Sequence, residues 1–437
     1  MTHCKALLIS APSSGSGKTS VTAAIARWHT RQGMKVRVFK TGPDYLDPMV
    51  LQRASGHPVY QLDLFMGGLA HCRALLAEAA ADADLILVEG VMGLFDGKPS
   101  SADLAAAFGL PVLAVIDASA MAQTFGALAL GLQKYRSDIK LCGVVANRVG
   151  SAAHGVMVGE GLPADLPLIA ALPRNAALTL PERHLGLVQA IELPGLDDML
   201  DGWADAWGSS VEPDFEFEAV PFEPQAVTAT ATPPLLRGLR IAVAQDAAFS
   251  FIYPANLDCL RALGAEVLTF SPLKGQALPS CDALWLPGGY PELHAEALRE
   301  HPSFFADLGQ HLAADKPLLA ECGGMLCLAV SLTDAEGRVH PMAGILPGQA
   351  VMNKKLSALG LQSIAWPEGE LRGHTFHYSS LATPLTPIAV ASNPNAGKAA
   401  EAVYQQGSLR ASYIHHYFPF NPAAVAAFFQ DGKANVS

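Results

Sequence analysis

Residues 6–19 read Ala-Leu-Leu-Ile-Ser-Ala-Pro-Ser-Ser-Gly-Ser-Gly-Lys-Thr, and their order decides the fold of the first half of the chain. The opening run is apolar without alternation, as a strand covered on both faces requires. It breaks into Ser14, Gly15, Ser16 and Gly17, whose small side chains let backbone N–H groups turn inward around a polyphosphate. Residues 19–31 have a helical pattern, and the helix N-terminus adds partial positive charge at the same place. In such a loop Lys18 neutralises the outer phosphates of ATP and the Thr19 hydroxyl ligates Mg²⁺. The usual first glycine is absent, with Ala11 or Pro12 there depending on the count. A Gly/Ser turn with an incidental Lys-Thr is the plain alternative. The strand before it and the helix after it favour a nucleotide site.

Working outward, residues 36–39, 85–88, 112–116 and 143–146 are further apolar runs separated by helix-like stretches. That alternation predicts an α/β doubly wound sheet. Ligands in such sheets sit beyond the carboxyl ends of the strands, where two acidic clusters fall. Lys40-Thr-Gly-Pro-Asp44-Tyr-Leu-Asp47 follows the second run, and Glu89-Gly-Val-Met-Gly-Leu-Phe-Asp96 follows the third. Asp44 and Glu89 are expected to complete the Mg²⁺ shell with Thr19, and Asp47 and Asp96 to position substrate or the departing phosphoryl group. Lys40 counts with the nucleotide-binding residues. Asn147, just after the run 143–146, either reads the adenine edge or caps a turn.

The 437 residues suit two domains, and with half of them apolar and 16% charged both can bury large cores. A formal charge of −11 argues against nucleic-acid binding, which needs a basic face. Seven scattered cysteines without zinc-like pairs suit a reducing cytoplasm. The chain reads as having no signal peptide and no membrane span. Residues 208–238 are rich in Pro, acidic residues and Ala-Thr repeats, and read as an exposed linker between domains over 1–207 and 239–437. Beyond it, runs at 239–244, 266–270, 283–286 and 317–320 open a second α/β series.

The last of those runs ends in Glu321-Cys322-Gly323-Gly324-Met325 before a helix-like stretch. A strand–turn–helix elbow of this kind exposes a nucleophile, and small neighbours permit close approach. The helix N-terminus favours the thiolate of Cys322. The Gly323 N–H is a candidate oxyanion donor, with help from Gly288 and Gly289. A general base is offered by His415 or His416, between which the residues alone do not choose. The other six cysteines read as small buried hydrophobes. His374 and His377, three apart in a strand-like stretch, face opposite ways and read as structural.

Taken together, the phosphate loop, residues 40–48, 88–97, 181–187, 286–294, 321–325, 373–379 and 412–418 resemble the cobyrinate or hydrogenobyrinate a,c-diamide synthases of cobalamin biosynthesis. The resemblance runs from residue 6 to about 420 in the family's domain order. It implies an N-terminal ATP-dependent amidoligase domain resembling dethiobiotin synthetase and a C-terminal class I-type glutamine amidotransferase domain. It also implies that ATP phosphorylates the c and then the a acetate of a corrin polycarboxylate, and that ammonia from L-glutamine displaces phosphate. Cys322 becomes the glutaminase nucleophile and His415 its activating base, while Tyr417 stands where the class I triad has Glu. A homodimer is a possible assembly. Two other readings compete: the same machine acting on another tetrapyrrole, such as nickel-sirohydrochlorin, and a non-catalytic nucleotide or glutamine sensor. Cobyric acid synthase resembles the architecture but matches the motifs less well.

Overall fold

The computed structural model describes residues 2–175, 182–183, 186–223, 233–395 and 400–430. Residues 181, 184 and 185 of the family-like stretch 181–187 lie outside them. The chain divides into one unit of residues 1–64 and 68–226 and a second of residues 65–67 and 227–437.

In the first unit, strands β1 (Thr2–Ser10), β2 (Val36–Thr41), β3 (Tyr60–Leu62), β4 (Leu85–Glu89), β5 (Val112–Asp117), β6 (Leu141–Val149) and β7 (Leu168–Pro173) line up as β3-β2-β4-β1-β5-β6-β7. Every neighbouring pair along this order is parallel. All five apolar runs read from the sequence are strands, and each residue of β4 is buried. The short β3 and β7 were not anticipated. Because the strands run one way, the loops after β1, β2, β4 and β6 emerge at one edge, which is what gathers the chemistry there.

Two helices brace the loop after β1. Helix Lys18–Arg31 begins within it, and helix Leu196–Ser210 packs alongside through a two-point contact of Arg27 with Asp201, at 2.7 and 3.1 Å. Trp207 of the second helix is 1% exposed.

The stretch 208–238, expected as an exposed linker, needs correcting. Helix Leu196–Ser210 runs into it, and β8 (Ala219–Phe222) pairs antiparallel with the first half of β1. Val220 and Phe222 are buried beneath that pairing. A four-residue strand interrupted by Pro221 shows too few alternations to stand out from a proline-rich background. Residues 224–232 lie outside the described residues.

In the second unit, β9 (Arg240–Ala244), β10 (Glu266–Phe270), β11 (Ala283–Leu286) and β12 (Leu318–Glu321) match the expected runs closely. The remaining strands that matter here are β13 (Ala358–Trp366), β14 (Gly369–His377), β15 (Ala389–Val390), β16 (Ala402–Gln406), β17 (Leu409–Ser412) and β18 (His415–His416). The main sheet runs β10-β9-β11-β12-β17-β16-β15, parallel as far as β17 and antiparallel beyond it. A separate sheet, β13-β14-β18, carries four of the histidines discussed below, His374, His377, His415 and His416. Both units are thus α/β, as expected.

Replacing Trp207 with Ala removes a fully buried indole from the helix pair and is expected to cost about 3–5 kcal/mol. Hydrogen exchange read by mass spectrometry should accelerate across Lys18–Arg31 while β9–β12 keep their protection.

Candidate active sites

The loop between β1 and its helix is shaped by two glycines in left-handed conformation, Gly15 at φ 78° and Gly17 at φ 95°. Gly17 also has no room for a side chain, since a Cβ there would lie 2.1 Å from the Asn147 amide nitrogen. That amide donates to the Ser16 carbonyl at 2.9 Å, so Asn147 braces the loop from β6. The structure therefore gives it a supporting contact with the loop, beyond the two roles considered from sequence. Lys18 Nζ donates to the carbonyls of Ser13 at 3.0 Å and Met92 at 2.6 Å, joining this loop to the one after β4. Asp96 lies in that second loop and accepts from the Gly93 N–H at 3.0 Å.

Beneath the loop sits a buried charge cluster. Glu89 at the end of β4 is fully buried and accepts from Thr19 Oγ1 at 3.0 Å and from Lys40 Nζ. Lys40, itself 2% exposed, also donates to Asp47 at 2.6 Å and lies 3.6 Å from Asp44. Burial opposes the charge of Lys40, but Asp47, Glu89 and Asp44 outweigh it and hold its pKa above the usual lysine range. Burial would raise Asp47 too, yet Lys40 and its hydrogen bonds keep it below the usual carboxylate range. Glu89 and Asp44 are pushed up, each first by burial and partly by neighbouring Asp47. Lys18 is lowered by burial and then by Lys40. Lys40, expected among the nucleotide contacts, lies within ion-pair distance of three carboxylates, Asp44, Asp47 and Glu89.

Glu89 Oε2 is buried without a hydrogen bond, while Oε1 meets Thr19. An oxygen-only donor pair of this kind fits a hard cation such as Mg²⁺. Among the described residues no group of three or more His, Cys, Asp or Glu converges as a metal shell. Thr19 and Glu89 would therefore hold such an ion only together with phosphate and water oxygens, as Mg²⁺ prefers.

In the second unit the elbow is unmistakable. Cys322 has φ 44° and ψ −109°, between β12 and helix Gly323–Leu328, and its N–H donates to Ser412 O of β17 at 2.8 Å. A non-glycine residue held there stores backbone strain, the mark of a constrained functional residue. The Gly323 N–H donates to the thiol, but burial, then Glu292, push that thiol well above the ordinary cysteine range.

Gly288 marks where the candidate base lies. A Cβ on it would be 2.2 Å from His415 Cε1 and 3.4 Å from Cys322 Cβ, so the two side chains converge on one point. His416 is turned elsewhere: its Nδ1 and N–H meet Glu321 Oε1 at 2.8 and 3.0 Å, and Trp285 donates to the other oxygen. His415 stacks at 5.0 Å on His374, whose Nδ1 lies 3.1 Å from the Tyr253 hydroxyl. Burial pushes His374 down to about 3 and His415 below its ordinary range, so both rings stay neutral. His377 is separate, stacked on Tyr413 and bonded to Glu401 at 3.0 Å. Glu321 escaped sequence reading, although a carboxylate closing a fully buried strand was a usable signal.

A phosphate-cradling α/β unit and an α/β unit with a cysteine elbow define a two-headed, nucleotide-using amidotransferase. Residues 7–188 match the CobQ/CobB/MinD/ParA nucleotide binding domain, and residues 240–422 match the CobB/CobQ-like glutamine amidotransferase domain. The chain is 58% identical to the hydrogenobyrinate a,c-diamide synthase of Stutzerimonas stutzeri strain A1501, covering 98% of this chain and 99% of that one. Identity is 56% to the protein of the same name from Pseudomonas aeruginosa, covering 99% and 98% of the two chains. It is 51% to the cobyrinate a,c-diamide synthase of Herminiimonas arsenicoxydans, covering 97% and 96%. The chain belongs to the hydrogenobyrinate and cobyrinate a,c-diamide synthase family.

Because Gly288 leaves no space beside His415, Gly288→Ala should displace the imidazole and cut glutamine hydrolysis by about 100-fold or more. Lys18-dependent ATP binding, followed by calorimetry, should be untouched.

Proposed function

We propose that this chain converts the a- and c-acetate carboxylates of hydrogenobyrinic or cobyrinic acid to amides, using ATP and ammonia released from L-glutamine. The single observation that carries the reading is the strained Cys322 elbow with His415 beside it, in a chain that also builds a phosphate loop. The relatives at 58% and 56% identity are named for the metal-free corrin, which is therefore the first substrate to try.

At neutral pH a carboxylate resists attack by ammonia. Transfer of the terminal phosphoryl group of ATP to it makes an acyl phosphate, whose phosphate then leaves as the C–N bond forms. Lys18 and the backbone N–H groups of residues 14–17 hold the phosphates, with Thr19 and Glu89 the ligands for Mg²⁺. When bound, that ion offsets charge building on the phosphate oxygens. Asp44 joins Thr19 and Glu89 as a ligand for that ion, and Asp47 and Asp96 orient the corrin acid and the departing phosphate. Lys40 keeps the carboxylates from repelling one another apart.

In the second unit His415 takes the thiol proton as Cys322 Sγ attacks the side-chain amide of glutamine. The N–H groups of Gly289 and Gly323 receive the developing oxyanion. The imidazolium returns the proton to nitrogen, ammonia leaves, and water hydrolyses the thioester to glutamate. Ammonia must meet the acyl phosphate before water does, which requires a protected passage.

The test is incubation with ATP, Mg²⁺ and either glutamine or ammonium chloride, reading corrin mass for one and two acid-to-amide conversions. Cys322→Ser should lose the glutamine-driven products and keep the ammonium-driven ones. Lys18→Ala should lose both, by at least about 100-fold. Glutamine-driven diamide from Cys322→Ser would contradict the assignment.

A further inference from the structure

Three carboxylates act on Cys322, in the order Glu292, Glu401, Glu321. Two of them are already committed. Glu321 is bonded to His416 and Trp285, and Glu401 to Thr375 at 3.0 Å and His377 at 3.0 Å. Glu292 is different. It is 7% exposed and makes no ion pair or side-chain hydrogen bond with another described residue; its one hydrogen bond is to its own main-chain N–H.

Its position is tied to the nucleophile. Glu292 lies in the turn Pro291–Leu293, three residues beyond Gly289. A Cβ on Gly323 would lie 2.9 Å from Gly289 N and 2.8 Å from Pro291 Cδ, so this turn abuts the residue that follows Cys322. The neighbouring histidines His415 and His374 are held neutral by burial and supply no countercharge. Burial alone pushes the Glu292 carboxyl up to about 7. A buried carboxyl beside a thiol, without a cation, works against forming the thiolate unless something positive arrives. Glutamine brings a positive group of its own, the α-ammonium.

We propose that Glu292 anchors the α-ammonium of bound glutamine, so that the ion pair holding the substrate also neutralises the negative charge beside Cys322. The nucleophile is then roused by its own substrate, and stays a quiet thiol otherwise. No bond is made or broken in this step; an ammonium and a carboxylate pair, and the thiol proton passes to His415 more readily. The inference rests on the reading of Cys322 and His415 as a glutaminase.

The experiment compares hydrolysis of glutamine with that of glutaramate, which is glutamine without its α-amino group, in wild type, Glu292→Gln and Glu292→Asp. Loss of a buried charge-assisted pair is worth on the order of 100-fold. Wild type should therefore favour glutamine over glutaramate by about that factor in kcat/KM. Glu292→Gln should lose most of this preference, through glutamine and not glutaramate, and Glu292→Asp should keep part of it. A wild-type enzyme that hydrolyses both compounds equally overturns the proposal without any variant. So does a Glu292→Gln enzyme that keeps the full preference. A wild-type chain inert toward glutamine would instead remove the glutaminase reading beneath it.

Discussion

A carboxylate buried at the end of a central strand has to be answered, and Glu89 sets the terms for the first unit. Taking it out of water costs several kcal/mol unless charge and hydrogen bonds are returned to it. Lys40 and Thr19 return them, one from the neighbouring strand β2 and one from the helix that follows the phosphate loop. One buried group thus fixes the relative positions of a strand end, a loop and a helix. Lys40 is consumed in the process. Lys18, lying across the mouth of the loop and bonded to both loop carbonyls, remains the cation that can meet phosphate.

The second unit is organised around strain instead of charge. Holding Cys322 at positive φ is costly, and the surroundings over-determine it: its N–H is tied to β17 and its carbonyl to Leu326 of the following helix. The glycines around it are empty space put to use. Gly288 and Gly323 lie where any side chain would strike His415 or the turn that carries Glu292. The resulting thiol is buried among acidic groups and neutral histidines, an environment that suppresses reactivity until substrate enters. Such restraint suits an enzyme whose ammonia is wasted unless an activated acid waits for it.

Much of this was legible in the sequence because both-face burial leaves continuous apolar runs, and β4 and β12 show it at their plainest. The loop residues 14–19 and the elbow at 321–325 stand out for the same reason: small residues between a strand and a helix have few other uses. What stayed hidden depends on contacts between distant positions. β8 is too short and too interrupted to announce itself, and it becomes a strand only because β1 offers half an edge. His415 and His416 are neighbours on a strand and therefore face opposite ways; the residue types alone leave the choice open, the family resemblance favours His415, and the fold puts it beside Cys322. Lys40 reads as a phosphate ligand, and its pairing with Asp47 and Glu89 shows only in the fold. Glu292 follows a glycine motif that draws the eye to backbone donors, and its isolation can be seen only once Glu321 and Glu401 have found their partners.

The central claim is that an acid group is made reactive by phosphoryl transfer before nitrogen captures it. Heavy-oxygen labelling of the corrin carboxylates tests this most directly, with glutamine as nitrogen source and the released inorganic phosphate analysed by mass. If each amidation passes through an acyl phosphate, one labelled oxygen leaves in phosphate for every amide formed. Unlabelled phosphate alongside fully amidated corrin would contradict the account.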